Sequence, residues 1–262
     1  MKITAAHIAA AIEEEAPLSY QESYDNAGFC VGRPDTGINA VLLCVDVTEA
    51  VLEEAVRLGA NMIVSHHPVI FHGLKKITGA TYVERIVAQA IKHNVVLYAA
   101  HTNMDSASRG VSRVMAQQLG LRDITVLSPR ESSAQSGFGA VGDLPDPLAA
   151  PVFFDSLKRA FGVLCVRHSA LLPGKVRRVA VCGGSGAFLL HDAIASGAQC
   201  FVSADLKYHD FFNADGHIIM ADIGHYESEK CVLSIFYELL TKKIPNFAFR
   251  ITEAGLNPVY YY

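Results

Sequence analysis

The chain lacks tryptophan, C-x-x-C pairs and any apolar run near the roughly 18 residues that a membrane helix needs. Without tryptophan, no function can rest on tryptophan stacking. The six cysteines stand singly, several of them in apolar runs, so we expect neither a disulfide framework nor a structural zinc knot. They predict reduced, buried thiols in a cytoplasmic protein. The apolar N-terminal stretch turns acidic at residues 13–15, unlike a secretory signal, and indicates an amphipathic helix instead.

The sequence also lacks an excess of charge of either sign. Twenty-two basic and 26 acidic side chains give a net charge of −4, which does not favour a nucleic-acid binder or a membrane-surface protein. Apolar residues make up 51% of the chain and charged residues 18%, so a sizeable core can be buried and disorder is excluded. The 262 residues suffice for one large domain or two of ordinary size.

The sequence repeats itself. Residues 41–68 match the stretch 179–209 without a gap when one is shifted by 138 positions, and Cys44 then falls on Cys182. Both copies contain a short apolar run, a helical stretch and a second apolar run, which predicts a βαβ unit with parallel strands. Gly59 and Gly197 close the two helices at the positions expected for C-terminal caps.

The repeat predicts an α/β fold of two α/β domains related by internal duplication. We place them at residues 1–126 and 127–262, and the C-terminal segment is a candidate to pack back on the first domain. The Ser-, Gly- and Pro-rich stretch 128–151 predicts a loop with one strand near residues 137–141, followed by a helix that starts at Pro151.

Histidines and carboxylates follow the predicted strands. His66 and His67 end one strand, and His101 ends the next, with Asp105 four residues later. In the second copy a histidine and a carboxylate again stand four apart, at positions 225 and 229. Ligands bind outside the carboxyl ends of parallel strands, so a mixed imidazole and carboxylate site at the domain junction is expected. Each pair taken alone is also compatible with a helix cap or a surface contact.

Adjacent residues of an extended chain point to opposite faces, so His66 and His67 can hold two metals, or one metal and one structural partner. The ligand mix suits Zn, Fe, Mn, Co or Ni, and a two-metal centre with ions ~3.5–4 Å apart is compatible with it. Asp205 can act as an outer carboxylate that supports such a site.

Other candidates are weaker. The segment Gly183–Gly186 follows a strand as a phosphate-binding nest would, but no lysine follows it, and a structural turn is favoured. Three lysines, Lys75, Lys76 and Lys207, can meet an anionic substrate or can equally lie in solvated loops.

With these motifs the chain resembles the GTP cyclohydrolase 1 type 2 homologues, a dinuclear-metal family also described as interacting-factor-3-like. The resemblance covers nearly the whole sequence. It begins with QESYDNAGFCVGRP at residues 21–34, continues through SHHPVIFHGLKKI, AAHTNMD, VAVCGGSG, SADLKYHD and IGHYESE, and ends with NPV at residues 257–259. It implies a two-domain α/β fold, toroidal homohexamers and two divalent metal ions per subunit at the domain junction.

The resemblance also implies a set of functional residues. The metal ligands it implies are His66, His67, Asp105, His225 and Glu229. Glu229 would bridge the two ions, and His101 matches a position near the metals that is not a usual direct ligand. His101 is therefore a candidate proton shuttle, since an unperturbed histidine titrates at about 6.5.

The activity implied is that of a metal-dependent hydrolase that uses a metal-activated water, with His101 and Glu229 as its catalytic residues. Its substrate would be a nucleotide or another small anion, and the family name suggests GTP. The alternative is a non-catalytic metal-binding hexamer with a regulatory or scaffold role. A saturated metal coordination sphere would favour this alternative, because a catalytic centre keeps an open position.

Overall fold

The structure is a computed structural model that describes residues 2–131, 133–255 and 257–262. It divides into two compact units. Unit 1 contains Met1–Met104 and Val232–Pro258, and unit 2 contains Asp105–Cys231 and Val259–Tyr262. These bounds differ from the predicted division between residues 126 and 127. The segment after Met104 already belongs to unit 2, because its first long helix packs on that unit's sheet.

Unit 1 is built on a mostly parallel sheet. Its first part contains, in chain order, α1 (Ala5–Glu13), a 3-10 turn (Leu18–Tyr20), β1 (Gly28–Val31), β2 (Val41–Cys44), α2 (Glu49–Arg57), β3 (Met62–Ser65), α3 (Tyr82–Lys92), β4 (Val96–Ala99) and α4 (Thr102–Asp105). Every residue of β2, β3 and β4 is buried, as expected for parallel strands covered on both faces.

Unit 2 contains the second sheet. Its elements are α5 (Val111–Gln118), β5 (Arg122–Arg130), β6 (Ser133–Ala149), α6 (Ala150–Phe161), β7 (Arg167–His168), β8 (Lys175–Ser185), α7 (Leu190–Ala195), β9 (Cys200–Ala204), β10 (Ile219–Asp222) and α8 (His225–Glu229), with 3-10 turns at Ala187–Leu189 and Asp210–Ala214. The strand order is β5-β6-β8-β9-β10-β7. The predicted α/β fold class is confirmed.

The chain then returns to unit 1 with α9 (Val232–Lys243) and β11 (Phe249–Ile251). Strand β11 pairs in parallel with β2 and completes the order β1-β4-β3-β2-β11. None of the helices among the described residues is long and apolar enough to cross a membrane.

The two βαβ units share one strand register. Val41 pairs with Met62 in the first βαβ copy, and Val179 pairs with Cys200 in the second. Both residues of the second pair thus lie 138 positions after their counterparts in the first pair. This confirms the predicted parallel pairing in both copies. The helices between the strands end as predicted, with Gly59 and Gly197 at positive φ. A common register is what a duplication would produce, and the duplication itself stays a prediction.

The prediction of a loop over most of residues 128–151 is wrong, whereas the short strand expected near residues 137–141 lies within β6. Strands β5 and β6 form a long antiparallel hairpin there, and β6 also pairs with β8. The small residues serve the close approach of the strands: a Cβ on Gly137 would lie 2.2 Å from the Ser128 carbonyl oxygen. The composition of this stretch is typical of a loop, because glycine is depleted from most strands. Glycine is nevertheless required in a strand where two backbones come this close.

The returning segment is fastened to unit 1 by a buried carboxylate. Glu54 on α2 accepts hydrogen bonds from the Thr252 hydroxyl and from the backbone N–H groups of Glu253 and Ala254, the last two at 3.2 Å. Only 6% of Glu54 is exposed. The hydrogen bonds to a charged acceptor outweigh the desolvation of the carboxylate and hold its pKa below the usual value.

Replacing Glu54 with alanine is therefore expected to lower the free energy of unfolding by about 1–3 kcal/mol, because several hydrogen bonds to one charged acceptor are lost together. Chemical denaturation monitored by circular dichroism measures this loss. The matched control is Glu53→Ala, which changes an exposed residue of the same helix. Equal stability of the two variants would show that the hydrogen bonds to Glu54 do not stabilise the returning segment.

Candidate metal centre

Three histidines of unit 1 gather at one edge of its sheet. His66 and His67 directly follow β3, and His101 follows β4, which pairs with β3 in parallel. The ring centroids lie 4.9 Å apart for His66 and His67, 5.4 Å for His66 and His101, and 5.3 Å for His67 and His101. His66 is fully buried. The sheet thus places three imidazoles within reach of one another at the carboxyl ends of adjacent strands.

Each of these rings is held through the same nitrogen. The Nδ1 atom of His66 lies 2.9 Å from the Ala100 carbonyl oxygen, and that of His67 lies 2.8 Å from Asp46 Oδ1. Since a carbonyl or a carboxylate accepts, Nδ1 carries the proton and donates. Nε2 is then the basic nitrogen, which is the arrangement found in histidines that bind metals.

His101 has the same arrangement with a more strongly held acid. Its Nδ1 lies 2.7 Å from Asp25 Oδ1, and the backbone N–H and the hydroxyl of Thr102 both donate to Asp25 Oδ2. Burial alone would raise the pKa of Asp25, but these hydrogen bonds and the charge of His101 outweigh it and lower the pKa to about 2. Asp25 is therefore ionised at any physiological pH and fixes the orientation of the His101 ring.

Unit 2 contains one imidazole between two carboxylates. His225 opens α8, and its Nε2 lies 2.9 Å from Oε2 of Glu229, one turn further along the same helix. On the other side, His225 Nδ1 lies 2.8 Å from Oδ2 of Asp205, which follows β9. Glu229 is 3% exposed, so its carboxylate lies in the interior of the unit.

This arrangement changes the protonation of His225. Burial alone would lower its pKa, but the hydrogen bonds with Glu229 and Asp205 and their negative charges raise the pKa to about 9. The His225 ring is therefore protonated on both nitrogens, and positively charged, at neutral pH in the metal-free protein. His225 and Glu229 would help to hold a divalent cation once this proton has been lost.

Asp105, the first residue of unit 2, belongs to the same electrostatic environment as Glu229. Burial raises the pKa of the Cys182 thiol, and the charges of Asp105 and Glu229 raise it further. The same two carboxylates also raise the pKa of the buried Cys231 thiol. Two acids and one imidazole thus supply oxygen and nitrogen donors within unit 2, and the thiols near them are kept protonated.

The sequence matches the family described as Duf34/NIF3 (NGG1p interacting factor 3) over residues 3–258. The chain belongs to this family. A relative named GTP cyclohydrolase 1 type 2 homolog, from Clostridium perfringens, is 32% identical over 225 residues, which cover 85% of each chain. The resemblance predicted from the motifs is confirmed.

Solved structures agree on the fold of this Duf34/NIF3 protein. A hypothetical protein from Staphylococcus aureus superposes with a TM-score of 0.91 at 24% identity, with both chains covered completely. A Bacillus cereus protein related to NIF3 also reaches a TM-score of 0.91, at 22% identity and with the same coverage. At identities below 25%, these structures support the fold and not a function.

The glycine-rich segment of this Duf34/NIF3 chain is not a phosphate-binding nest. Gly183 lies within β8, and its N–H donates to the Ser112 hydroxyl at 3.3 Å. The N–H of Gly184 donates to the Ser228 hydroxyl at 2.9 Å. Both N–H groups therefore already have partners, and most of the segment is the end of a strand rather than the structural turn that the sequence favoured.

The three lysines suggested as anion contacts, Lys75, Lys76 and Lys207, are all exposed. Two acids that contact the histidines of unit 1, Asp25 and Asp46, were not among the residues that the sequence predicted for the site. The signal for both acids was weak, because each reaches a histidine far away in the chain.

The donor atoms described above are of the kinds that bind divalent metals. Zn, Mn, Fe, Co and Ni accept imidazole nitrogens and carboxylate oxygens as ligands, and here the imidazoles have their Nδ1 atoms hydrogen-bonded and the Glu229 carboxylate is buried.

The strand registers show how the two copies differ. Ala99 pairs with Ser65, and Asp222 pairs with Ser203, so the second copy has one more residue between its strand and its histidine.

Proposed function

We propose that this chain binds two divalent metal ions and uses them to hydrolyse a small anionic substrate. The proposed metal ligands are His66, His67, Asp105, His225 and Glu229. The observation that supports the proposal best is common to the three histidines of this set: each has its Nδ1 atom within hydrogen-bond distance of an oxygen, which is the arrangement found in histidines that bind metals through Nε2. Membership of the Duf34/NIF3 family supports the same ligand set through the matching motifs.

When bound, the ions would supply Lewis-acid activation of a water molecule. The chain's own contribution is the placing and charge of its ligands. Buried Glu229 and the acids Asp46 and Asp205 offset the positive charge of the ions and keep the imidazole rings in a fixed orientation.

His101 is proposed to move the proton. Its Nδ1–H is held by the ionised Asp25, so Nε2 can accept a proton while the resulting imidazolium stays paired with a negative charge. Its side chain is 15% exposed, which leaves a route for a substrate or water to reach it. Because the buried Asp25 is ionised, it would stabilise the imidazolium that forms on His101, and this favours catalysis over a non-catalytic metal-binding scaffold.

The substrate class follows from the relatives' name and from the exposed lysines. The relatives are named GTP cyclohydrolase 1 type 2 homolog, so GTP and other nucleotides are the first substrates to try. Lys75, Lys76 and Lys207 are proposed to contact the phosphates.

His101→Ala tests the catalytic role. We expect turnover of the substrate in a nucleotide panel to fall about 10²–10⁴-fold, the usual value of a general acid or base, while the metal content stays at the wild-type level. Turnover is measured on protein loaded with Mn²⁺ or Zn²⁺, and the metal content by elemental analysis. His93→Ala, which changes an exposed histidine of the same unit, is the control. An unchanged rate in His101→Ala would exclude this residue as the proton carrier.

The alternative proposal is a non-catalytic metal-binding scaffold, which the family resemblance implies would assemble as a homohexamer. The same experiment separates the two functions. Full metal loading without turnover of any nucleotide in the panel would favour the scaffold.

A further inference from the structure

The backbone of Gly184 leaves no room for a side chain. An ideal Cβ built there would lie 2.1 Å from Oε1 and 3.1 Å from Cδ of Glu229, and 3.3 Å from Cε1 of His225. Gly184 also has a φ of +60°, in the left-handed region that side chains disfavour. The Glu229 carboxylate therefore packs directly on a bare stretch of main chain.

This stretch of main chain is fixed on both sides. The Gly184 N–H donates to the Ser228 hydroxyl, and the Gly184 carbonyl accepts from the Ser203 hydroxyl at 3.0 Å. Ser228 in turn donates to the backbone carbonyl of His225 at 2.8 Å. One short network thus connects the end of β8 with the helix that contains both His225 and Glu229, so the backbone of Gly184 cannot easily give way.

The corresponding position of the first copy also serves a histidine of the candidate site. A shift of 138 positions places Gly184 on Asp46, whose carboxylate holds Nδ1 of His67. In the first copy this position supplies an acid that orients an imidazole, and in the second it supplies space for an acid. The two copies thus have different residues at this position, and each of these residues contacts a ligand candidate of its own unit.

We infer that Gly184 is a positioning residue that sets the location of the Glu229 carboxylate. Oε1 occupies the space that a Cβ of residue 184 would need, and His225 Nε2 contacts Oε2, so the plane of the carboxylate is defined from two sides. The consequence for metal binding rests on the proposed function. A carboxylate that bridges two ions must hold both oxygens in place, and a methyl group at residue 184 would push one of them away.

The test compares Gly184→Ala with Gly197→Ala. Both glycines have positive φ, but a Cβ at Gly197 meets nothing within 4 Å, so this control reproduces the backbone strain without the clash. Calorimetric titration of the metal-free full chain with Mn²⁺ is expected to show affinity at least tenfold weaker in Gly184→Ala and unchanged in Gly197→Ala. Wild-type affinity in Gly184→Ala would overturn the inference.

A second measurement does not depend on metal binding. The crystal structure of metal-free Gly184→Ala should show the Glu229 carboxylate displaced while β8 and α8 keep their places.

A third comparison measures metal affinity again. Glu229→Asp shortens the side chain and should cost less Mn²⁺ affinity in the Gly184→Ala background than in the wild type. If the wild type binds no Mn²⁺, the proposed function fails, and the position of the carboxylate still decides the inference. An unmoved carboxylate would overturn it.

Discussion

Glu229→Ala is expected to lower the affinity for divalent metal and the turnover at least about a hundredfold, because even the outer partners of metal ligands typically contribute 10–100-fold. Glu229 is the buried acid next to His225 and the residue proposed to bridge the ions. Elemental analysis of the purified protein and calorimetric titration with Mn²⁺ measure the loss.

Two further variants separate this effect from misfolding. Glu229→Gln keeps the volume of the buried side chain but removes its charge, and it should lose metal while it retains its circular dichroism spectrum. Glu238→Ala changes an exposed acid on another helix and should behave as the wild type. Full metal loading of Glu229→Gln would rule out a carboxylate ligand at this position.

The affinity for metal is expected to rise steeply with pH. His225 has a pKa raised to about 9 by Glu229 and Asp205, so below that pH an ion must displace a proton from its imidazole. For one linked proton, the binding constant rises about tenfold per pH unit and levels off above the pKa, which amounts to about a thousandfold between pH 6 and 9. Titrations in buffers of different ionisation enthalpy measure the number of protons released.

The same pKa predicts the opposite trend for the stability of the metal-free protein. A group whose pKa is raised by folding stabilises the fold fully below its unfolded value of about 6.5, and this contribution is lost as the pH rises through about 9. Asp205→Asn removes one of the two charges and should flatten both profiles. If metal affinity proves independent of pH between 6 and 9, His225 is not protonated in the way described.

Local patterns in the sequence were sufficient for the parts of the fold that depend on neighbouring residues. The apolar runs of β2 and β3, the glycine at residue 59 and their counterparts 138 positions later predicted two parallel βαβ units, and the pairing Val41 with Met62 confirms this. Periodicity and capping are properties of short segments, so a single sequence reveals them.

Features that depend on distant residues could not be predicted. The hydrogen bonds from His101 to Asp25 and from His67 to Asp46 form only in the folded chain, and the spacing of these residues in the sequence does not predict them. The β5-β6 hairpin was missed for a related reason: glycines that look like loop residues are needed where strands lie against one another, as at Gly137.

The division of the chain has a consequence for the order in which the protein can be completed during synthesis. Unit 1 is interrupted after Met104 and resumes at Val232. Its edge strand β11 and the segment that binds Glu54 therefore leave the ribosome only after nearly all of unit 2 has been made. Unit 1 therefore gains the contacts of α9 and β11 only at the end of synthesis, and we expect it to reach its full stability only then.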